Sequence, residues 1–236
     1  YPFEKTIGQT NNHSKIIENI DVGGPAMVRA AAKNYNDVNV ITSVDQYSEL
    51  ISELKNNKGC TTLKFREKMS RIAFEETAYY DAVISNYLNK FSNINFPNKK
   101  ILYTNLVENL RYGENPHQVS AFYSQNKKNR INQIHGKTLS YNNYNDIFAA
   151  LTISKSLPKK TGTVIIKHGN PCGVSSLKNN LDSYNSALQS DPISAFGGIV
   201  SCNYKINKKI ALMLNKNFFE VIIANGFDKN SLKILK

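Results

Sequence analysis

The sequence predicts an α/β protein built as two consecutive domains. Short apolar runs of strand length alternate with segments whose apolar residues keep helical spacing. Such alternation implies a mixed or largely parallel sheet. Residues 93–100, rich in Asn and Lys and containing Pro97, separate two regions of this kind. The chain has 236 residues, enough for two domains that bury full cores without disulfides.

In the first region, Asp21-Val22-Gly23-Gly24-Pro25 reads as a turn, with Pro25 near the start of a helix. Ala26 to Lys33 continues that helix with strong formers. Val38 to Thr42 reads as a strand. Ser43 or Asp45 caps the next helix, whose Tyr47, Leu50, Ile51 and Leu54 share a face. Phe65 to Phe91 is the longest periodic stretch, one long helix or two consecutive ones. Phe65, Met69, Ile72, Ala73, Ala82, Val83, Tyr87 and Leu88 line its buried faces. The linker then places the domain boundary near residue 103, giving domains 1–103 and 104–236.

The second region alternates again. Strands are expected at 121–123, 163–167, 198–201 and 221–224, and helices at 146–156, 181–190 and 206–214. Thr163 to Lys167 is apolar on consecutive positions, the mark of a strand buried on both faces.

Composition excludes several classes. No run of about 18 apolar residues exists, so no segment reads as a membrane span. The start, Tyr1-Pro2-Phe3-Glu4, lacks the features of a signal peptide and reads as a chain entered partway through a domain. The three cysteines, Cys60, Cys172 and Cys202, form no CxxC pair, which fits free thiols in a reducing, cytoplasmic setting. The net charge is +12, carried mostly by scattered lysines. Runs such as Asn126-Lys127-Lys128-Asn129 read as solvated surface. A nucleic-acid module would favour Arg in a clustered patch. A nonfunctional interaction scaffold is the other competing reading.

Chemistry concentrates in Lys167-His168-Gly169-Asn170-Pro171-Cys172-Gly173. It follows the buried strand 163–167, and in α/β sheets ligands bind beyond the carboxyl ends of strands. His168 suits general-base work, and Lys167 beside it can stabilise an oxyanion. Asn170 offers an amide to a carbonyl, and Gly169 and Gly173 allow close backbone approach. His168 before Pro171-Cys172 faintly echoes a zinc deaminase signature. Yet no CxxC follows and no Glu stands two residues after His168, so no metal is expected. In Leu110 to Gln118, Arg111 can fork onto phosphate or carboxylate oxygens, and Tyr112 and His117 can bind a polar ligand. In Asp191 to Gly198, the pair Gly197-Gly198 permits backbone approach. In the first region, Tyr1, Asp21 and Lys33 form an acid–base set if they converge.

Taken in order, Ile20 to Pro25, Arg29 to Asn34, Leu110 to Gln118, His135 to Asn143, Lys167 to Gly173 and Ser190 to Gly198 closely resemble the bifunctional purine biosynthesis family. That family joins an IMP cyclohydrolase to an AICAR transformylase, and the resemblance covers essentially the whole chain. It implies a Rossmann-like fold, similar to methylglyoxal synthase, for the first part. It implies a cytidine-deaminase-like α/β fold for the second. The first part would belong to a domain closing formyl-AICAR to IMP with loss of water. There Lys33 would shuttle protons, Tyr1 would be a site residue, and Asp21 and the Val22 backbone would contact the nucleotide. The second would move a formyl group from 10-formyltetrahydrofolate, a folate co-substrate, to AICAR. His168 would accept the proton and Lys167 supply the cation. Arg111, Tyr112 and Gly197 would bind AICAR, and Glu220 its ribose hydroxyls. The resemblance implies a homodimer, and the scattered lysines and absence of a long apolar run lead to no expected nucleic-acid or membrane partner. Asn225 stands where the family usually has Pro, a departure confined to one turn. The resemblance implies that the phosphate-binding loops lie before Tyr1 and most folate contacts beyond Lys236.

Overall fold

Which segments become helix is decided by side-chain caps and apolar periodicity, and in the first 104 residues these produce helices alone. The computed structural model describes residues 1–125 and 131–236, so the run Asn126-Lys127-Lys128-Asn129 lies outside the described residues. The chain divides into two compact units, Tyr1–Thr104 and Asn105–Lys236.

The first unit is organised on α5 (Leu63–Phe91), which is one continuous helix. Its N-cap Thr62 accepts the Phe65 N–H at 3.2 Å. Phe65, Met69, Ala73, Ala82 and Val83 are buried as expected, with Ile72 and Tyr87 half-buried. Leu88 is exposed instead, because it falls outside the stripe that α1 (Phe3–Ile7) and α2 (His13–Ile17) cover with Phe3 and Ile16. Helix α3 (Gly23–Lys33) lies against α5. The Ser70 hydroxyl donates to the Ala32 carbonyl at 2.7 Å, and Arg66 donates to the Tyr35 and Asn36 carbonyls at 2.8 and 2.6 Å.

Val38 to Thr42 is not a strand; it runs without a ladder. A strand needs a partner, and no other extended segment of residues 1–104 bonds to it. The amides of Thr42 and Ser43 donate instead to Gln46 Oε1, at 2.9 and 3.2 Å. Ser43 and Gln46 form a capping box on the short 3₁₀ turn Val44–Gln46, which leads into α4 (Tyr47–Asn56).

In the second unit, β1 (Asn105–Asn109) and β2 (Ala121–Ser124) form an antiparallel pair. A four-stranded sheet follows, in the order β4-β3-β5-β6. Strand β3 (Gly162–Lys167) is central and buried up to Ile166. It pairs antiparallel with β4 (Asn170–Ser176) and with β5 (Ile199–Cys202), while β5 and β6 (Val221–Ala224) are parallel. The sheet is therefore mixed, with antiparallel pairing at its centre.

Side chains alternate across this sheet with the period of two that a strand imposes. Val164, Ile166 and Ile199 pack towards α6 (Tyr141–Ser156), against Ile147 and Ala150. Ile165, Val200 and Cys202 pack towards α7 (Asn180–Ser190) and α8 (Lys208–Leu214), against Tyr184, Ala187 and Leu214. A last helix, α9 (Lys229–Leu235), is capped by Asp228, whose Oδ1 accepts from Ser231 N at 2.6 Å. Helix α6 starts five residues before the expected Asp146. Its capping box, Ser140 with Asn143, overrides the weak helix preference of Asn142, Asn143 and Asn145. Ile206 lies just before α8 and bridges to Phe227.

Candidate active site

Strand β4 begins only two residues after β3 ends, so Lys167 and Asn170 pair across a two-residue turn. His168 and Gly169 occupy it with φ of 54° and 74°. Two left-handed residues are what this shortest hairpin turn demands. A non-glycine residue there is disfavoured by about 1–2 kcal/mol. The expected turn is thus present, and the unanticipated strand β4 is its return arm. Asn-Pro-Cys-Gly hid that strand, because Pro and Gly read as turn formers. Pro171 is tolerated because β4 is an edge strand.

Gly173 does not face a ligand. A Cβ on it would sit 1.8 Å from the Ala187 carbonyl oxygen, so the missing side chain is what lets α7 approach β4. The Asn170 amide donates back to the His168 carbonyl at 3.0 Å, bracing the turn. Lys167, half-buried at the end of β3, donates from Nζ to the Phe196 carbonyl at 2.7 Å. The His168 side chain is exposed and makes no hydrogen bond among the described residues.

Around Lys167 the antiparallel sheet puts the beginnings of β5 and β6 beside the end of β3. The carboxyl-end rule of parallel sheets therefore holds here for β3 only. Gly197, with φ of 73°, donates its N–H to the Phe218 carbonyl at 2.8 Å, and Glu220 donates its own to Gly198 at 3.0 Å. The first turns of α6 gather these pieces. Asn143, buried, donates from Nδ2 to Glu220 Oε2 at 2.6 Å. Asp146 accepts the His168 N–H through Oδ2 at 3.1 Å and the Gly169 N–H through Oδ1 at 2.6 Å. The segment Leu110 to Gln118 joins the same helix end: Arg111 N–H donates to Leu139, Tyr141 N–H to Tyr112, and Asn142 Nδ2 to Glu114. The Arg111 guanidinium lies 4.9 Å from the centre of the Tyr112 ring and donates to its hydroxyl at 3.3 Å. His117 is exposed in this loop.

Lys167, His168, Arg111, Tyr112, Gly197 and Glu220 are therefore linked within one unit through α6. The linking residues, Asn143 at the end of the His135 to Asn143 motif and Asp146 at the expected helix start, were not read as site residues in the sequence. Both sit in an asparagine-rich run whose local pattern marks only a helix start. Cys172, close by on β4, has its thiol pushed up, first by burial and then by the Asp191 charge, with Lys167 opposing. A raised thiol is a poor nucleophile. A cavity of about 550 Å³ in this unit is lined by Glu220, by the residues of β6 and by His135 and Lys137. Among the described residues, no group of three or more His, Cys, Asp or Glu side chains is placed to hold a metal ion. Nor is any helix long and apolar enough to cross a membrane.

In the first unit, Asp21 organises the start of α3. Its Oδ1 accepts the Gly24 N–H at 2.9 Å, and its own N–H donates to the Tyr80 hydroxyl at 2.7 Å. The amino group of Tyr1 lies 3.4 Å from Asp21 Oδ2. Tyr1 and Asp21 line a cavity of about 520 Å³, together with Thr42, Glu76 and Tyr80. Val22, 76% exposed, is the N-cap of α3. Lys33 is exposed at the opposite end of α3, about 15 Å along the helix from Gly23, and does not line this cavity. Tyr80 and Glu76 are further site candidates that sequence reading passed over. They lie on the long helix α5, where every residue reads first as scaffold.

Comparison with known proteins gives concordant matches. A family model described as AICARFT/IMPCHase bienzyme matches residues 31–236. A bifunctional purine biosynthesis protein PurH of Acetivibrio thermocellus is 45% identical, across 100% of this chain and 47% of its own length. Proteins of the same name from Bradyrhizobium diazoefficiens and Persephonella marina are each 44% identical across 100% of this chain, covering 46% and 47% of their own lengths. The chain spans about half the length of the curated relatives it matches.

Proposed function

Because the chain belongs to the AICARFT/IMPCHase bienzyme family, we propose that it carries part of each of the two active sites completing IMP synthesis. Residues 1–103 would contribute to the cyclohydrolase and residues 104–236 to the AICAR transformylase. In this reading the first unit is part of a Rossmann-like, methylglyoxal-synthase-like domain. The second is part of a cytidine-deaminase-like one. The enzyme would act in the cytoplasm as a homodimer.

One observation carries the transferase half. Of Lys167, His168, Arg111, Tyr112, Gly197 and Glu220, drawn from four separate segments, His168, Tyr112 and Glu220 bond directly to the first two turns of α6, and the other three adjoin them in sequence or through the strand-end turns. The chemistry suits them. The 5-amino group of AICAR is weakly nucleophilic and must lose a proton as it attacks the formyl carbon of 10-formyltetrahydrofolate. The exposed His168 imidazole accepts that proton. Negative charge develops on the formyl oxygen, and Lys167, with ammonium donors remaining beyond the one bound to Phe196, stabilises it. As the carbon–nitrogen bond to the folate breaks, its nitrogen takes a proton, leaving formyl-AICAR and tetrahydrofolate. Arg111 and Tyr112 hold the substrate's anionic end, the Gly197 turn lies against its ring, Glu220 accepts from the ribose hydroxyls, and Asn170 and His117 border the site.

For ring closure, Asp21 and the Val22 backbone bind the nucleotide at the start of α3 and Tyr1 borders the same cavity; Lys33, at the far end of α3 and outside that cavity, takes the proton-shuttle role from the family resemblance alone. The test uses a full-length protein that includes this chain. His168→Ala abolishes formyl transfer and leaves cyclisation of added formyl-AICAR intact, whereas Lys33→Ala does the reverse. Survival of both activities in the His168 variant overturns the roles.

A further inference from the structure

The His168–Gly169 turn poses a problem that the hairpin alone does not solve. In a two-residue turn the N–H groups of both central residues point away from the ladder, so neither is paired by β3 or β4. One of the two residues, His168, also sits in a left-handed conformation that favours glycine. Such a tip samples alternative backbone states unless something outside the hairpin fixes it. Asp146 supplies that fixture. Its two carboxylate oxygens take one N–H each, at 3.1 Å from His168 and 2.6 Å from Gly169. These are charge-assisted bonds, stronger than neutral ones.

The acceptor stands on a firm base. Asp146 is on α6 next to Ile147, which is fully buried against the sheet, so the carboxylate is fixed relative to β3. On the other side of the residue, the His168 carbonyl accepts from the Asn170 amide. Both ends of the His168 backbone are thus held, while its ring is exposed and unbonded among the described residues. A proton acceptor needs this combination of a fixed base and a ring left open to the substrate.

We propose that Asp146 is a positioning residue for formyl transfer, holding the His168–Gly169 turn by accepting both of its backbone N–H groups. The proposal rests on the reading of His168 as the proton acceptor. Asp146→Asn separates the charge and double acceptance from the side-chain volume, because an amide accepts through one oxygen and turns an N–H towards the second donor.

The experiment compares wild type, Asp146→Asn and His168→Ala in the full-length bifunctional protein. Formyl-transfer kcat should fall about 100-fold in Asp146→Asn, the scale of a 1 Å misplacement. KM for AICAR should stay within about threefold, since Arg111, Tyr112 and Glu220 are untouched. Cyclisation of formyl-AICAR should be unchanged. Hydrogen exchange of the peptide spanning residues 167–170 should quicken by about tenfold as its two amides lose their acceptor. Wild-type kcat in Asp146→Asn, with His168→Ala inactive, overturns the positioning role and leaves the functional reading standing. Equal losses in kcat, KM and melting temperature make Asp146 a purely structural residue and also overturn it. Full formyl transfer in His168→Ala overturns the underlying reading instead.

Discussion

Gly173→Ala should be among the most damaging single-methyl additions in the second unit. A Cβ at Gly173 falls 1.8 Å from the Ala187 carbonyl oxygen and 2.7 Å from its carbon, where side-chain contacts closer than 3.0 Å essentially never occur. Helix α7 would have to retreat by about 1.2 Å to reach that limit, enough to forfeit a quarter to a half of the dispersion at its interface. The Ser183 hydroxyl, whose one proton is shared by the Thr161 and Ser175 carbonyls at 2.7 and 3.2 Å, would be drawn out of reach of at least the farther acceptor. Overpacking costs about 1–3 kcal/mol and a lost buried hydrogen bond about 1 kcal/mol more, so roughly 3 kcal/mol is expected. For a unit of this size that corresponds to a fall in Tm of about 10 °C. Thermal and urea unfolding followed by circular dichroism measures it. Val174→Ala, 40% exposed on the same strand, serves as the near-neutral control. A Gly173→Ala protein that melts within about 2 °C of wild type would refute the packing reasoning and return Gly173 to the role of a ligand-facing glycine.

Two other outcomes test the electrostatics and the first unit. Burial pushes the Cys202 thiol up to about 11 from 9.0, against weaker hydrogen bonds from Tyr204 and Thr163. The unfolded thiol ionises first. Stability is therefore full below about pH 9 and declines between there and about pH 11, by about 2–3 kcal/mol. Urea midpoints measured across that range should fall less steeply in Cys202→Ala, and identical slopes would sink the assignment. Asp21→Ala removes the acceptor of the Gly24 N–H at the start of α3 and should cost about 1 kcal/mol, whereas Asp21→Asn retains most of it. Equal melting temperatures for wild type and Asp21→Ala would show that the Asp21–Gly24 bond contributes nothing.

Periodicity made the long helix and the buried strand readable. Phe65, Met69 and Ala73 recur at helical spacing over a length no strand reaches, and Val164 to Ile166 is too apolar to face water on either side. What periodicity cannot express is pairing. Val38 to Thr42 has strand composition but meets no partner strand, and the Val38 and Thr42 amides go to the Asn34 carbonyl and the Gln46 side chain. Asn170 to Ser176 has turn composition yet becomes an edge strand, because the two-residue turn delivers it against β3. Gly173 and the Asn170 amide were read as ligand-facing for the same reason. Their partners, Ala187 and the His168 carbonyl, are set by tertiary approach and leave no local trace.

The candidate site follows the same division. Three segments were legible alone, as an Arg-Tyr pair, a strand-end Lys-His and a glycine turn, while Glu220 came only from the family resemblance. Their junction was not, because it lies in residues that serve the helix first. Ser140 and Asn143 close the capping box of α6, and the Asn143 side chain, with its oxygen committed to the Ser140 N–H, has its nitrogen free for Glu220. Asp146, three residues on and so on the same face, reaches the His168 turn. Ser140, Asn143 and Asp146 thus form an i, i+3, i+6 row whose first two members set where the helix begins. Moving that start by one residue would rotate the row by about 100° and take the Asn143 donor and the Asp146 acceptor away from their partners. The cap that begins α6 therefore also places the partners of Glu220 and of the His168 turn, so a helix-start signal at Ser140 bears directly on the proposed site.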